Sequence, residues 1–308
     1  MTLAINPIEV ASFGISAGAV FGLLALGLVL IYRTTGVMNF GHWAIGLVAV
    51  VSYAWLTGEG MVPQAALPIC LLLAMAAGVA AYRLVFKRIA RSNQIIVILV
   101  AVGIAQFYSS LAALVLGFRP FTRLPPWLPM ATLEMAGMRL RMSDVYTIGV
   151  GLAIAVGFFF WFRVSRSGQA LRAVAQNREA AVLAGIDDVR YSSLAWAIGS
   201  GLAALALLII MPHSAGQQGG LITTFDLTPL GTLLIPAFGA ALVGGLVNLP
   251  MALVGGVFFG LTREFLVLAP APWSELRTSV AAILIVVLLL LRTERFFATR
   301  QELEALEA

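Results

Sequence analysis

Long runs of apolar residues alternate with short polar segments along most of the chain. Because an α-helix needs about 20 apolar residues to cross the hydrocarbon core of a bilayer, runs of this length predict membrane-spanning helices. About nine such spans are expected, at 8–31, 37–56, 64–86, 94–117, 143–163, 189–211, 229–247, 250–268 and 275–292. The predicted fold is an all-α, polytopic transmembrane helical bundle, formed by a single domain over residues 1–308.

Two places leave the predicted number of spans at about eight to ten. Residues 36–42 are short of long apolar side chains, a pattern that predicts a broken or a re-entrant helix entry. The segments on either side of Asn248-Leu249-Pro250 lie so close in the sequence that they form either a helical hairpin or two half-helices.

The composition agrees with a membrane protein and indicates its orientation. The chain is 61% hydrophobic and 11% charged, whereas soluble domains carry about 25% charged residues. Cytoplasmic loops of membrane proteins are enriched in Lys and Arg. Placing the N-terminus outside puts 13 of the 19 basic residues in the cytoplasm, although the arginines of the 118–142 loop then lie outside. We therefore expect an N-out, C-in arrangement, and the net charge of +5 needs no nucleic-acid partner.

The sequence offers little enzymatic chemistry. Cys70 is the only cysteine and lies in an apolar run, so no internal disulfide or cysteine metal cluster is expected. No phosphate-binding sequence of the type GxxxxGKS or GxxxxGKT occurs, and the sole lysine, Lys87, follows Val85-Phe86. No catalytic residue, metal site or bound cofactor is therefore predicted for this chain.

Residues 163–190 form a polar island between two apolar segments and carry five of the 19 basic residues. The pattern predicts one amphipathic helix of about four turns that lies against the membrane surface. Its apolar face would consist of Leu171, Val174, Ala175 and Val182. Its polar face would consist of Arg172, Gln176 and Glu179. Ser165 or Ser167 is expected to cap the start of this helix, and Gly185 suits a left-handed stop.

Small residues recur at the spacing of helix contacts in lipid, where close backbone approach replaces the hydrophobic drive. These residues are Gly14, Gly18, Gly22, Gly244, Gly245, Gly256 and Gly260. They predict either a compact bundle or a seam between subunits.

Several segments resemble one family of transport proteins. Glu179-Ala180-Ala181, followed three residues later by Gly185, spells EAAxxxG and resembles the coupling-loop signature of ABC importer permeases. Residues 31–42 read IYRTTGVMNFGH and resemble the first characteristic block of the branched-chain amino acid permease family of ABC transporters, in particular its LivH-type subunit. Residues 170–186 and 240–256 resemble the family's coupling segment and its later glycine-rich block.

The resemblance implies a permease subunit of an ATP-driven importer for branched-chain or hydrophobic amino acids, or for related small solutes such as urea and amides. It implies two ABC ATPase subunits that bind ATP and Mg, a second, LivM-like permease subunit, and an extracytoplasmic solute-binding protein. The expected location is the bacterial cytoplasmic membrane. An ion-coupled secondary transporter or a passive channel is the alternative, but mid-span positions carry almost none of the ionisable groups that ion coupling uses.

The resemblance also implies roles for particular residues. Coupling to the ATPase would fall to Arg172, Arg178, Glu179, Ala180, Ala181 and Gly185. The solute pathway would include Asn39, Phe40 and His42, in the glycine-flanked segment after the first span. The alternative for these three is a polar packing contact between helices.

Overall fold

The computed structural model describes residues 6–90, 92–117, 125–129, 131–135, 138–217, 233–277 and 279–291. Within these ranges, six helices are long and apolar enough to cross a membrane, and three further apolar helices are shorter. The predicted fold, a polytopic helical bundle, is confirmed. The predicted orientation draws in part on residues that lie outside the described ones, namely Arg91 and the basic residues after 291. Residues 118–124 and 218–232, which that orientation places outside the cell, are also not among the described residues.

Eleven helices are labelled here, of which α3 continues through a π-helical turn, Tyr82–Phe86, to Ile89. They are α1 Pro7–Thr35, α2 His42–Gly58, α3 Pro63–Ala81, α4 Gln94–Gly117, α5 Met142–Val164, α6 Arg166–Gln176, α7 Arg178–Leu183, α8 Asp188–Gln217, α9 Leu234–Val243, α10 Leu249–Phe265 and α11 Val280–Leu291. Short 3₁₀ turns at Leu266–Leu268 and Trp273–Arg277 join α10 to α11.

Helices α1 and α8 form the centre of the bundle. In their most apolar stretches 83% and 78% of the residues are buried, against 17% in α4 and in α5. Phe21 and Leu24 of α1 and Trp196 of α8 are fully buried. The outer helices therefore present their apolar side chains to lipid or to another membrane subunit.

Helix α1 packs along α10 through facing glycines. A Cβ atom at Gly18 would lie 2.6 Å from Cα of Val257, and one at Gly256 would lie 2.5 Å from the backbone nitrogen of Gly22. Gly14 and Gly260 meet in the same seam. Of the two predicted uses for these glycines, the structure shows the compact bundle, because the contact joins two helices of one chain.

A tight turn separates α9 from α10 and makes the pair a helical hairpin. Gly245 and Leu246 adopt positive φ values of 62° and 58°, which end α9, and Asn248 caps α10 by accepting a hydrogen bond from the backbone nitrogen of Met251. Gly244 and Gly245 thus lie in the turn. The contact between the two helices is made by Gly255, whose Cβ position lies 2.6 Å from the carbonyl oxygen of Ala240.

The segment that precedes α5 contains a feature that the sequence pattern did not reveal. Strands β1, Thr132–Met135, and β2, Met138–Arg141, pair as an antiparallel hairpin. Strand β2 leads directly into α5, and the carboxylate of Asp144 in the first turn of α5 accepts a hydrogen bond from Arg141 at 2.9 Å. A small two-stranded sheet therefore stands at one end of the otherwise helical bundle.

Candidate functional site

The polar island folds as two short helices, so the predicted single helix of about four turns is wrong. Asn177 interrupts it with an extended backbone, φ −153° and ψ 102°. Each helix has its own N-terminal cap: Ser165 accepts from the nitrogen of Gly168 at 2.9 Å, and Asn177 accepts from that of Ala180 at 2.9 Å. Asparagine is among the best capping residues, which explains why the chain restarts a helix here. Gly185 ends α7 at φ 82°, as predicted.

The apolar face of this segment differs partly from the predicted one. Leu171 and Val174 are buried as expected, but Val182 is 49% exposed, because the break at Asn177 rotates α7 relative to α6. Ala181 takes the buried position instead. Leu183, a large apolar side chain, is 88% exposed. Helix α7 therefore presents an apolar edge to its surroundings, beside the exposed Glu179 and Ala180.

The sequence pattern predicts Arg172 on the solvent-facing side of a free helix, but in the structure this side chain contacts α5. Its guanidinium donates to the backbone oxygens of Phe162 and, at 3.1 Å, of Arg163, at the end of α5. The last carbonyl groups of a helix have no partner within it and carry partial negative charge. Arg172 satisfies two of them and so fastens α6 to α5.

Arg178 makes a corresponding link on the other side of the island. Its guanidinium is paired with the carboxylate of Asp188, in the first turn of α8. The two side chains are only 28% and 20% exposed. The short helices are thus attached to both neighbouring spans, to α5 through Arg172 and to α8 through Arg178.

The link between α1 and α2 turns back into the bundle. Gly36 ends α1 with a φ of 71°, and the chain runs without regular structure to Gly41 before α2 begins at His42. The Nε2 atom of His42 lies 3.0 Å from the backbone oxygen of Leu24. At a rise of 1.5 Å per residue, Leu24 lies about 16 Å along the helix axis from the end of α1. Of the two predicted alternatives, the structure therefore shows the re-entrant entry.

The polar side chains of this re-entrant segment are fully enclosed. Asn39 and His42 are 1% and 0% exposed. Asn39 accepts a hydrogen bond from the nitrogen of Gly41 at 3.0 Å, but its Nδ2 atom and the Nδ1 atom of His42 have no partner among the described residues. Phe40 packs on Phe238 of α9, with ring centres 5.1 Å apart. Irregular backbone at this depth is tolerated where it is buried in protein or lines a cavity.

Sequence reasoning missed the reason for glycine at position 41. A Cβ atom there would overlap the backbone oxygen of Ala101 in α4. The re-entrant segment is thus held by α1, α4 and α9 together. Three separate helices meet here, so only the tertiary structure identifies the neighbours of Asn39 and His42.

A second polar cluster lies at the end of the bundle opposite the polar island. Glu264 of α10 is 3% exposed, and its carboxylate accepts a hydrogen bond from Arg277 at 2.5 Å. Arg263, its neighbour in sequence, is 3.8 Å from the same carboxylate. Adjacent positions on a helix face different directions, and the close partner of Glu264 accordingly comes from a different element.

These features together define a multi-pass helical membrane protein, in which a polar loop is attached to two spans. The chain belongs to the branched-chain amino acid transport system / permease component family, whose pattern matches residues 10–291.

Individual relatives cover nearly the whole chain. The chain is 26% identical over 305 residues to the high-affinity branched-chain amino acid transport system permease protein LivH of Salmonella typhimurium, covering 94% of this chain and 95% of that protein. It is 26% identical over 265 residues to the corresponding protein BraD of Pseudomonas aeruginosa, covering 82% and 83%. A solved structure, PsaBC from Streptococcus pneumoniae in complex with Fab, shares the fold with a TM-score of 0.50 at 13% identity, over 90% of each chain.

Proposed function

We propose that this chain forms half of the pore of an ATP-driven importer for branched-chain amino acids or closely related small solutes. Its partners would be two ABC ATPase subunits, a second, LivM-like permease subunit and an extracytoplasmic solute-binding protein. The membrane is the bacterial cytoplasmic membrane, with the N-terminus outside. The observation that carries the proposal is the exposed edge of α7, on a segment attached to two spans.

Helix α7 is the part of the chain to which an ATPase subunit would bind. Leu183, 88% exposed, and Val182, 49% exposed, provide an apolar contact of the kind that a groove on a soluble partner buries. Glu179 lies beside them and provides charge at the rim, where charges mainly affect association rate and orientation. Because the chain has no phosphate-binding sequence of its own, the ATP and Mg belong to the partner subunits.

Movement of α7 would pass to the membrane through the two arginine links. Arg178 transmits it to the start of α8 through Asp188, and Arg172 transmits it to the end of α5. Since α8 lies in the centre of the bundle and α5 at its edge, a shift of the loop changes the position of an inner span relative to an outer one. Such relative movement is what alternating access requires.

The re-entrant segment is the proposed contact with the solute. Asn39 and His42 each hold a buried polar atom without a partner among the described residues, at the depth of the middle of α1. Both atoms are enclosed in this conformation. A polar solute group would therefore meet them when the helices around the segment move apart during transport. Phe40, which packs on Phe238, would supply apolar surface for a hydrocarbon side chain.

The test is to co-purify the chain with its neighbouring ATPase, permease and solute-binding proteins, reconstitute them in vesicles, and measure ATP hydrolysis with a panel of small solutes. Wild type should be stimulated several-fold by its cargo. Leu183→Asp places a charge in the proposed docking contact and should abolish stimulation and weaken ATPase co-purification, while the permease still elutes as a folded protein.

Gln176→Asp provides the matched control, because this side chain is also exposed but lies on α6, before the break. It should retain nearly full stimulation. Normal solute-stimulated hydrolysis by Leu183→Asp, or uptake by vesicles that contain no ATPase subunit, would exclude the proposed coupling.

A further inference from the structure

A large groove opens on the side of the bundle, between α1, α5 and the turn that joins α9 to α10. Its volume is about 880 Å³. Its walls are apolar and include Leu152, Val156 and Phe159 of α5 and Val254 of α10. All four side chains are at least 41% exposed, so the groove is open to whatever surrounds the helices in the membrane.

One end of the groove is strongly basic. Arg33, Arg163 and Arg172 line it, and among the described residues no Asp or Glu does. Arg172 is occupied with the carbonyl groups at the end of α5. Arg33 and Arg163 form no ion pair with an acidic residue of the described chain, although Arg163 lies near the ring of Phe159, 5.8 Å from its centre. Within the described part of the chain, two cationic groups at the edge of an apolar groove thus lack a negative partner.

The dimensions of the groove correspond to one leaflet of a bilayer. Arg163 lies at the end of α5, and Leu152 lies farther along the same wall. At 1.5 Å per residue, these two positions are about 16 Å apart along the helix. Half of a hydrocarbon core of about 30 Å is about 15 Å. The basic end is therefore at headgroup level when the apolar wall lies at acyl-chain depth.

We propose that this groove is a binding site for an anionic phospholipid of the leaflet on the side of the polar island. The phosphate would lie between Arg33 and Arg163, and an acyl chain would lie against α5. Basic pockets between membrane helices on one face of the bilayer suit anionic headgroups. A helix of a second permease chain would fill the apolar wall but would leave both arginines without a negative partner, unless it supplied an acidic residue.

The site also has a mechanical consequence. The lipid would contact α5 at the end that Arg172 fastens to the polar island. An anionic lipid there would support the position of this helix end. The lipid site does not depend on which solute is carried, so it can be tested separately from the transport proposal.

The experiment uses the full-length permease, alone and in the assembled transporter, in vesicles of phosphatidylethanolamine with one-quarter phosphatidylglycerol. A trace of photoreactive phosphatidylglycerol is cross-linked, and the labelled peptides are mapped by mass spectrometry. Labelling is expected within 152–163 and 247–254. Unlabelled phosphatidylglycerol should compete strongly and phosphatidylcholine weakly. Free inorganic phosphate should not compete, because the acyl chain contributes to binding.

Two kinds of variant test the site from opposite directions. Arg33→Gln with Arg163→Gln should lower apparent affinity for phosphatidylglycerol roughly 30-fold, because each basic residue near an anionic lipid contributes about fivefold. Lys87→Gln with Arg88→Gln removes two charges from exposed positions elsewhere and should leave labelling unchanged. Ala155→Phe narrows the groove, which Ala155 lines, and should lower labelling while all arginines remain.

The results that would overturn the proposal are equally definite. They are equal labelling by a phosphatidylcholine analogue, unchanged labelling of the double arginine variant, or displacement by phosphate alone. Cross-linking of α5 to a second permease chain in place of lipid would show that the groove is a subunit seam. Ala155→Phe keeps the test valid if the double arginine variant fails to fold.

Discussion

At the scale of single residues, glycines determine how closely the central helices approach. Gly18 faces Val257 and Gly256 across the α1–α10 seam, and the three atoms nearest to a Cβ at this position all belong to backbone. Backbone cannot rotate away as a side chain can, so the two helices must separate to accept even a methyl group. In lipid, such close contact replaces the hydrophobic drive that assembles soluble bundles.

We expect Gly18→Ala to destabilise the permease by about 1–3 kcal/mol, the usual cost of adding a methylene to a packed interior. The measurement is the thermal unfolding midpoint of the purified protein in detergent. Gly103→Ala is the matched control, because no atom lies within 4 Å of its Cβ position on α4. The control should unfold at or slightly above the wild-type temperature, since alanine favours helix over glycine by about 1 kcal/mol. Equal midpoints for the two variants would contradict the seam.

Most of the predicted glycine seam could be located from the sequence, because a four-residue spacing places glycines on one helix face. The partner of that face could not. Gly14, Gly18 and Gly22 meet a helix more than 200 residues later in the chain. Asn39 and His42 show the same limit: the sequence singles them out as polar residues in an apolar region, and their enclosure by three helices follows only from tertiary packing.

At the scale of elements, the polar island consists of two short helices, of which α6 is attached to α5 and α7 to α8. The apolar pattern continues through Asn177, so periodicity alone predicts a single helix where the structure has α6 and α7. The capping preference of asparagine was the local signal that could have divided them. The break turns Val182 outward and Ala181 inward, which changes the surface that a partner would meet.

We expect Arg178→Met to separate ATPase docking from coupling. The substitution removes the ion pair with Asp188 that joins α7 to α8, while the exposed edge at Leu183 stays intact. Co-purification of the ATPase should persist, and solute-stimulated hydrolysis should fall several-fold. The stability cost should be on the order of 1 kcal/mol or less, because the pair is partly exposed to water.

Arg190→Met serves as the control, since Arg190 is exposed on α8 and, among the described residues, only its backbone nitrogen donates a hydrogen bond. Exchange of the two charges, Arg178→Asp with Asp188→Arg, should restore part of the stimulation. If Arg178→Met hydrolyses ATP like wild type, the link does not transmit movement.

At the scale of the whole molecule, charged groups separate to the two ends of the bundle. One end holds Arg33, Arg163 and Arg172 around the groove, together with the turn at Asn248. The other holds Glu9, Arg141, Asp144, Glu264 and Arg277 around a smaller recess of about 440 Å³. This arrangement agrees with the alternation of spans that the sequence predicts.

The predicted orientation places the polar island in the cytoplasm and the loop after α2 outside. We expect Gln176→Cys to be protected from a membrane-impermeant maleimide in intact cells and Val62→Cys to be labelled, because both side chains are exposed on the protein surface but lie at opposite ends. The native Cys70 is fully buried and gives little background. Labelling of Gln176→Cys before lysis, with protection of Val62→Cys, would reverse the orientation.

The sequence by itself determined the class of the molecule: a helical membrane bundle, an exposed polar island and a polar, glycine-flanked segment near Asn39. Hydrophobic length and charge are local properties, and the cost of placing polar backbone or charge in lipid makes them decisive. Tertiary structure decided what those segments touch. The contact of His42 with the middle of α1, the attachment of the island through Arg172 and Arg178, and the basic groove all join residues far apart in the chain, and such pairs depend on how helices pack, which no single segment specifies.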